Sequence, residues 1–292
     1  MFKIKEIQIA VAFDENYAYP AIVMLTSLFE NALDNTKYIV TAMIPSNLSD
    51  ETKSKVISLN ELYQSHEIIF YDMGDAFINA PCDLRFSTAT YYRLKLPDVL
   101  KDQDKCIYID VDTIVLKDLQ ELHDIDIENY YIAGTRDVAP FTNYENIKER
   151  MIKIGNVDTD NYVGSGLLLF NLKKMRQDDI YKKFKNLIST KAKLLVYYDM
   201  DTLNAICYGK ILLIDLKFHV FNYFHHYDCA RNIYYSDKDL EEAKQNPHII
   251  HYVGFKPWQN RNVPLSDFWF NYAKKSKFYY EICKKFDLRI EE

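Results

Sequence analysis

Asp110 and Asp112 stand two residues apart in KCIYIDVDTIV, residues 105–115, directly after the apolar run Ile107-Tyr108-Ile109. In an extended strand, residues two apart share a face, so a continuing strand would set the two carboxylates side by side. Carboxylates held that closely repel unless a cation lies between them. The usual partner is Mg2+ or Mn2+, held by a few carboxylates together with substrate phosphate oxygens. In an open α/β sheet such ligands gather just beyond the carboxyl ends of strands, where this pair falls. The triplet alone is a weak signal and more often marks solvated, helix-capping or turn-forming aspartates. The apolar segment Thr113-Ile114-Val115-Leu116 that follows sets it inside a hydrophobic scaffold. Two chemistries then compete: a metal–diphosphate site for a nucleotide sugar, and an Asp-nucleophile phosphatase whose first Asp attacks phosphate while the second is the acid.

Other candidates lie along the chain. Asp14 and Asn16 end a first strand, as helix caps or as groups at the edge of a binding sheet. Arg93 in STATYYRLKL is a surface charge or a phosphate clamp. Gly164-Ser165-Gly166 precede an apolar strand, where small residues admit a ligand to the backbone or mark a turn. Asp199 and Asp201 open a helical stretch, YYDMDTLN. In HIIHYVGFKPW, residues 248–258, His251 follows a short strand, Gly254 permits a tight turn and Lys256 can meet a phosphate.

These residues need a scaffold that delivers them to one place. Strands are expected at 7–13, 38–44, 67–71, 107–109, 130–134 and 211–214, with another in 162–172. Helices are expected at 17–31, 49–63, 87–96 and 197–204, with a lysine-rich one after 172. Alternation of this kind predicts an α/β fold with a mainly parallel sheet covered by helices. Residues 138–161 read as polar and irregular with one helical piece, and 222–229, rich in aromatics and histidine, carry no assignment.

Composition agrees with one large domain. The 292 residues are 48% hydrophobic and 15% aromatic, with only seven glycines against 24 tyrosines, which suits a sizeable core and argues against disorder. The net charge of −6 gives no support to nucleic-acid binding. Five irregularly spaced cysteines (82, 106, 207, 229 and 283) lack zinc-site spacing and read as reduced thiols, an expectation of cytoplasmic residence. No signal peptide is evident, and no apolar run approaches the ~18 residues that span a bilayer. Residues 266–286 mix Phe268, Trp269, Phe270, Tyr272 and Tyr280 with lysines. They form either a peripheral membrane-binding helix or one that packs its aromatics on the core.

Taken in order, AFDENY (12–17), TYYRL (90–94), YIDVDTIV (108–115), GLLLFNLKKM (166–175), DMDTLN (199–204) and HYVGFKPW (251–258) resemble the family 8 retaining glycosyltransferases. That family includes bacterial lipooligosaccharide galactosyl- and glucosyltransferases and glycogenin. The resemblance implies a GT-A type, Rossmann-like domain over residues 1–258, followed by an aromatic and basic extension over 259–292. It implies transfer of glucose or galactose from a UDP-sugar to a hydroxyl of a glycan or glycolipid acceptor, with Mn2+ or Mg2+ as cofactor. Asp110, Asp112 and His251 match the metal ligands. Ala12, Asp14, Asn16 and Tyr17 match the uridine segment, while Arg93, Val111, Asp137, Gly164 and Ser165 match the surroundings of the donor. Gly254 and Lys256 match the diphosphate turn, and Asp199 matches the acid that binds the transferred sugar, as the catalytic candidate.

Two departures bear on the sugar. The family often has Asn-Ala-Gly where this chain has Gly164-Ser165-Gly166, and Asp-Gln-Asp where it has Asp199-Met200-Asp201. The absent amides are sugar contacts in relatives, and the Met200 thioether cannot replace one. A non-catalytic UDP-sugar-binding relative is therefore the second reading. The phosphatase reading recedes, because it expects the Asp pair after the first strand of its domain and several strands precede it here.

Overall fold

The structure, a computed structural model, describes residues 3–82, 87–137, 144–155, 159–223, 231 and 234–290. Its centre is β1 (Lys5–Ala12), whose last six residues are all buried. Such a strand, apolar on both faces, belongs in the middle of a helix-covered parallel sheet. β2 (Thr36–Ile44) pairs parallel with β1 along its whole length, from Lys5 opposite Thr36 to Ala12 opposite Met43. β3 (Glu67–Asp72) continues that edge in parallel. On the other side of β1 comes β4 (Lys105–Ile109), again parallel.

Beyond β4 the sheet changes character. β6 (Ile132–Gly134), β7 (Leu167–Asn171) and β8 (Ile211–Leu213) complete it in the order β3-β2-β1-β4-β7-β6-β8, with β7 antiparallel to both of its neighbours. The result is a mixed, mainly parallel sheet. A second, three-stranded sheet, unforeseen in the sequence, joins β5 (Thr113–Val115), β10 (Ile249–His251) and β9 (Val220–Phe221) in the order β5-β10-β9.

Side-chain alternation sorts the core into two layers. Ile7, Ile9, Val11, Ile107 and Ile109 face one cluster, which also holds the first helix, Ala18–Glu30. Ala10, Ala12, Cys106 and Tyr108 face the other, closed by helices that include Ile180–Lys191 and Tyr198–Ile206. The helices Ser266–Lys275 and Tyr279–Lys285 bury Trp269, Phe270, Tyr279 and Ile282 in the first cluster, while Tyr280 and the lysines stay exposed. Those buried aromatics pack on the core. Among the described residues, no helix is long and apolar enough to cross a membrane.

Several local expectations change. The stretch 87–96 forms tight 3-10 turns over Thr88–Lys95, and 49–63 divides into Asp50–Ile57 and Leu59–Leu62. Ser49 caps the first piece with its side chain, and Glu15 bonds both Ser49 and Thr52. Within 138–161 a helix runs over Tyr144–Gly155, while 138–143 and 156–158 lie outside the described residues. Most of the unassigned stretch, 224–229, lies outside them as well.

Candidate active site

β4 stops at Ile109, so Asp110 and Asp112 do not lie side by side on a strand. The chain turns there and re-enters as β5 in the other sheet, and the Thr113 hydroxyl bonds back to the Asp110 carbonyl at 2.7 Å. The turn gives the two carboxylates different surroundings. Asp110 keeps the parity of Tyr108, whose hydroxyl donates to it at 2.9 Å, and so reaches the layer beneath the large sheet. Val111 is buried between them.

The Asp110 side is organised by Arg93, which is 3% exposed. Its Nη2 bonds Asp110 at 2.8 Å, its Nη1 donates to the Ser165 carbonyl, and its Nε donates to the Thr90 carbonyl at 3.0 Å. The guanidinium also lies over the Tyr108 ring, 4.2 Å from the centroid. Burial works against this charge, but Asp110 and Asp199 outweigh it and hold the Arg93 pKa above its ordinary value. Asp199, on the first turn of the helix Tyr198–Ile206, is buried 3.1 Å from Arg93 Nε and accepts from Thr90 at 2.7 Å. Its second oxygen lies beside Arg93 Nε, whose N–H is aligned on the Thr90 carbonyl, and the Ser165 hydroxyl gives the carboxylate a further hydrogen bond. Burial, only partly opposed by Arg93 and Thr90, raises the Asp199 pKa.

The Asp112 side belongs to β10 and the turn after it. Asp112 faces His251 Nε2 at 3.1 Å and Lys256 Nζ at 2.6 Å. Burial would raise its pKa, but Lys256 and then His251 prevail and hold it well below the usual carboxylate range. Lys256 is brought back by the turn at Gly254, whose φ of +71° lies in the left-handed region that glycine accepts without strain. Asn222 fixes the turn from the other side, its backbone N–H on the His251 carbonyl and its side-chain oxygen taking the Val253 N–H, both at 3.0 Å.

Asp110, Asp112 and His251 each offer a ligand atom, and these atoms all lie within 4.8 Å of one another. Two carboxylates and an imidazole are a donor set that suits Mn2+ or Mg2+. Gly166 passes beside them: a Cβ there would stand 2.6 Å from His251 Nδ1 and 3.1 Å from Asp110 Oδ2. The residues therefore fit a divalent metal, and only a glycine can pass this close to them.

The remaining candidates lie on several elements. Ala12 ends β1, Asp14 caps the turn Glu15–Tyr17 by accepting from the Asn16 N–H at 3.0 Å, and Asn16 is exposed. Tyr17 meets Trp258 edge-on at 6.0 Å; burial raises its pKa, with Asp112 adding to the effect. Trp258 in turn packs on Trp269 and Phe286, so the C-terminal helices buttress both Tyr17 and the Lys256 turn. Gly164 lies against buried Asp137, where a Cβ would stand 3.0 Å from the carboxylate. Met200 is half-buried against the second core layer.

Sequence reasoning missed His219 and Thr135. His219 is 1% exposed, and its Nε2 lies 2.8 Å from His251 Nδ1. Burial drives its pKa well below the ordinary value, with His251 adding to the effect. The available signal was a histidine in the apolar run LKFHVF, a pattern that ordinarily describes a core residue.

The chain matches glycosyl transferase family 8 over residues 8–262. A putative glycosyltransferase of Haemophilus influenzae is 33% identical over 252 residues, covering 84% of this chain and 71% of the relative. General stress protein A of Bacillus subtilis is 28% identical over 272 residues, covering 91% and 92%. The crystal structure of the galactosyltransferase LgtC with donor and acceptor sugar analogs superposes with a TM-score of 0.78 at 23% identity, covering 96% of this chain and all of that one. That likeness identifies the GT-A fold.

Proposed function

The chain belongs to glycosyl transferase family 8, and on that premise we propose that it moves a glucose or galactose from a UDP-sugar to a hydroxyl of a glycan or glycolipid acceptor, with retention and with a divalent metal. The observation that carries this reading is the convergence of Asp110, Asp112 and His251 from two sheets, with Lys256 and Arg93 beside them. The sites belong to 1–258, and in the 259–292 extension Trp269 and Phe286 stand behind Trp258 and Tyr17.

In the reaction the anomeric carbon–oxygen bond to UDP breaks and a bond to the acceptor oxygen forms on the same face. The acceptor proton leaves with the departing diphosphate. Asp110, Asp112 and His251 would hold a divalent metal, which would supply Lewis-acid stabilisation of the charge on the leaving diphosphate. Lys256, already paired with Asp112, adds a second positive charge at the same place. The end of β1 and Tyr17 receive the uridine, and Gly164 and Ser165 let the sugar approach the backbone. Asp199 orients the sugar from a fixed position, anchored by Thr90 on one oxygen and by Arg93 beside the other.

UDP release from a panel of UDP-sugars, with Mn2+ and with EDTA and without acceptor, tests the reading. Slow metal-dependent hydrolysis of one sugar is expected and would identify the donor. Binding of UDP with no cleavage, in the presence of an acceptor panel as well, would favour a binding protein. Absence of UDP binding would end the reading.

A further inference from the structure

His251 is held by groups outside the set assigned to donor or metal. Gly166 closes one side of its ring. On another, His219 meets it edge to edge, with centroids 5.0 Å apart and planes 19° from parallel. Phe221 stands edge-on to both rings, at 5.2 Å from His219 and 5.8 Å from His251. The polar contacts run in series: Asp112 Oδ1 to His251 Nε2 at 3.1 Å, His251 Nδ1 to His219 Nε2 at 2.8 Å, and His219 Nδ1 to Thr135 Oγ1 at 3.1 Å. Thr135 is buried, and its own carbonyl takes the Gly164 N–H at 3.1 Å, so the far end of the series is tied to the backbone beside Asp137.

The direction of that series follows from chemistry. An imidazole that offers Nε2 to a cation carries its proton on Nδ1. His251 Nδ1–H must then donate, and the atom facing it, His219 Nε2, must accept. A neutral ring accepting at Nε2 has its own proton at Nδ1, where the Thr135 hydroxyl oxygen receives it. With a cation at His251 Nε2, each hydrogen bond permits one assignment, and that assignment leaves the Nε2 lone pair on the Asp112 side, where the cation would lie.

We propose that His219, seated by Thr135, is a positioning residue that fixes the ring plane and tautomer of His251 and thereby sets the affinity of the Asp110–Asp112–His251 cluster for a divalent cation. The inference rests on the metal reading above. Outer partners of this kind typically govern about 10- to 100-fold of metal affinity.

The test is direct Mn2+ binding, followed by the electron paramagnetic resonance signal of the free aqueous ion, with no substrate present. His219→Phe keeps a buried ring but has no acceptor, and should bind Mn2+ about 10- to 100-fold more weakly than wild type. His219→Gln offers an amide oxygen in place of Nε2 and should bind close to wild type. Thr135→Val, which stays interpretable if the ring substitutions do not fold, should weaken binding less than His219→Phe does. Wild-type affinity in both His219→Phe and Thr135→Val, with binding lost in Asp112→Ala, would overturn the inference and leave the metal reading standing. Equal losses in His219→Gln and His219→Phe would reduce His219 to a packing residue and overturn it also. Equal affinity in Asp112→Ala and wild type would remove the metal reading and the inference together.

Discussion

The chain carries two Asp-x-Asp triplets, 110–112 and 199–201, and the fold treats them in opposite ways. In the first, each carboxylate faces a different cation, Asp110 the Arg93 of the 3-10 turns Thr88–Lys95 and Asp112 the Lys256 of the turn after β10, with the Gly166 backbone packed closely beside Asp110 and His251. In the second, the two residues part company on one helical turn. Asp201 is fully buried and saturated: Arg150 pairs with it, the Tyr162 hydroxyl donates at 2.8 Å, and the Val196 and Tyr197 N–H groups donate at 2.8 and 2.9 Å. Asp199, two residues earlier, keeps an oxygen with no aligned donor. A carboxylate with donors on both oxygens from distant elements is architecture, whereas one with an oxygen that no donor is aligned on can still take a ligand hydroxyl.

The sharpest way to break that contrast is to remove one carboxylate from each triplet and measure both turnover and stability. Asp112→Ala should lower turnover by at least ~10²–10³-fold, the usual consequence of losing one charge-stabilising group. Asp201→Ala should cost about 3–5 kcal/mol in urea unfolding, because Arg150 and two backbone N–H groups lose their partner. If Asp201→Ala lost turnover with its stability intact, the division between chemistry and architecture would be wrong.

Sequence made the ends of this arrangement legible and hid the middle. The apolar run before Asp110 and the glycine before Lys256 are local signals, and both elements form where the pattern put them. The strand break at Ile109 was invisible, because TIV after the triplet has the same β-branched character whether it continues β4 or starts another sheet. Its partner, β10, lies well over a hundred residues away, and periodicity carries no information about pairing at that range. The same limit hid His219, which matters only because β9 and β10 run side by side. Asp201 could not be separated from Asp199 by spelling, since Arg150 and Tyr162 come from distant elements.

A smaller effect sharpens the difference within the second triplet. Because burial raises the folded-state pKa of Asp199, the native chain binds more protons than the unfolded chain between that group's ordinary value, about 4, and its raised one. Stability assigned to this group is thus present at low pH and falls as pH rises through that window. Asp199→Asn carries no ionisable group, so the stability of the variant relative to wild type should improve with pH there. Urea unfolding of both proteins across pH 4–7 measures this, and a flat or opposite trend would mean that Arg93 offsets the burial of Asp199.

The smallest expected effect concerns Met200, between the two aspartates. Its backbone is already fixed, the N–H on the Tyr197 carbonyl at 2.8 Å and the carbonyl taking the Asn204 amide at 2.9 Å, so a substitution there alters the side chain and little else. Its thioether packs half-buried against the second core layer, next to the carboxylate proposed to orient the sugar. Met200→Gln keeps the unbranched shape and adds a donor and an acceptor. One neutral hydrogen bond contributes roughly 0.5–1.5 kcal/mol, so a bond made only in the transition state would raise turnover about 2- to 10-fold. The same change should lower stability by about 1 kcal/mol through lost apolar packing. A gain for one UDP-sugar and not another would assign position 200 to donor choice. Unchanged turnover and preference would mean that the thioether faces the core in the working enzyme, and that the second triplet meets the sugar through Asp199 alone.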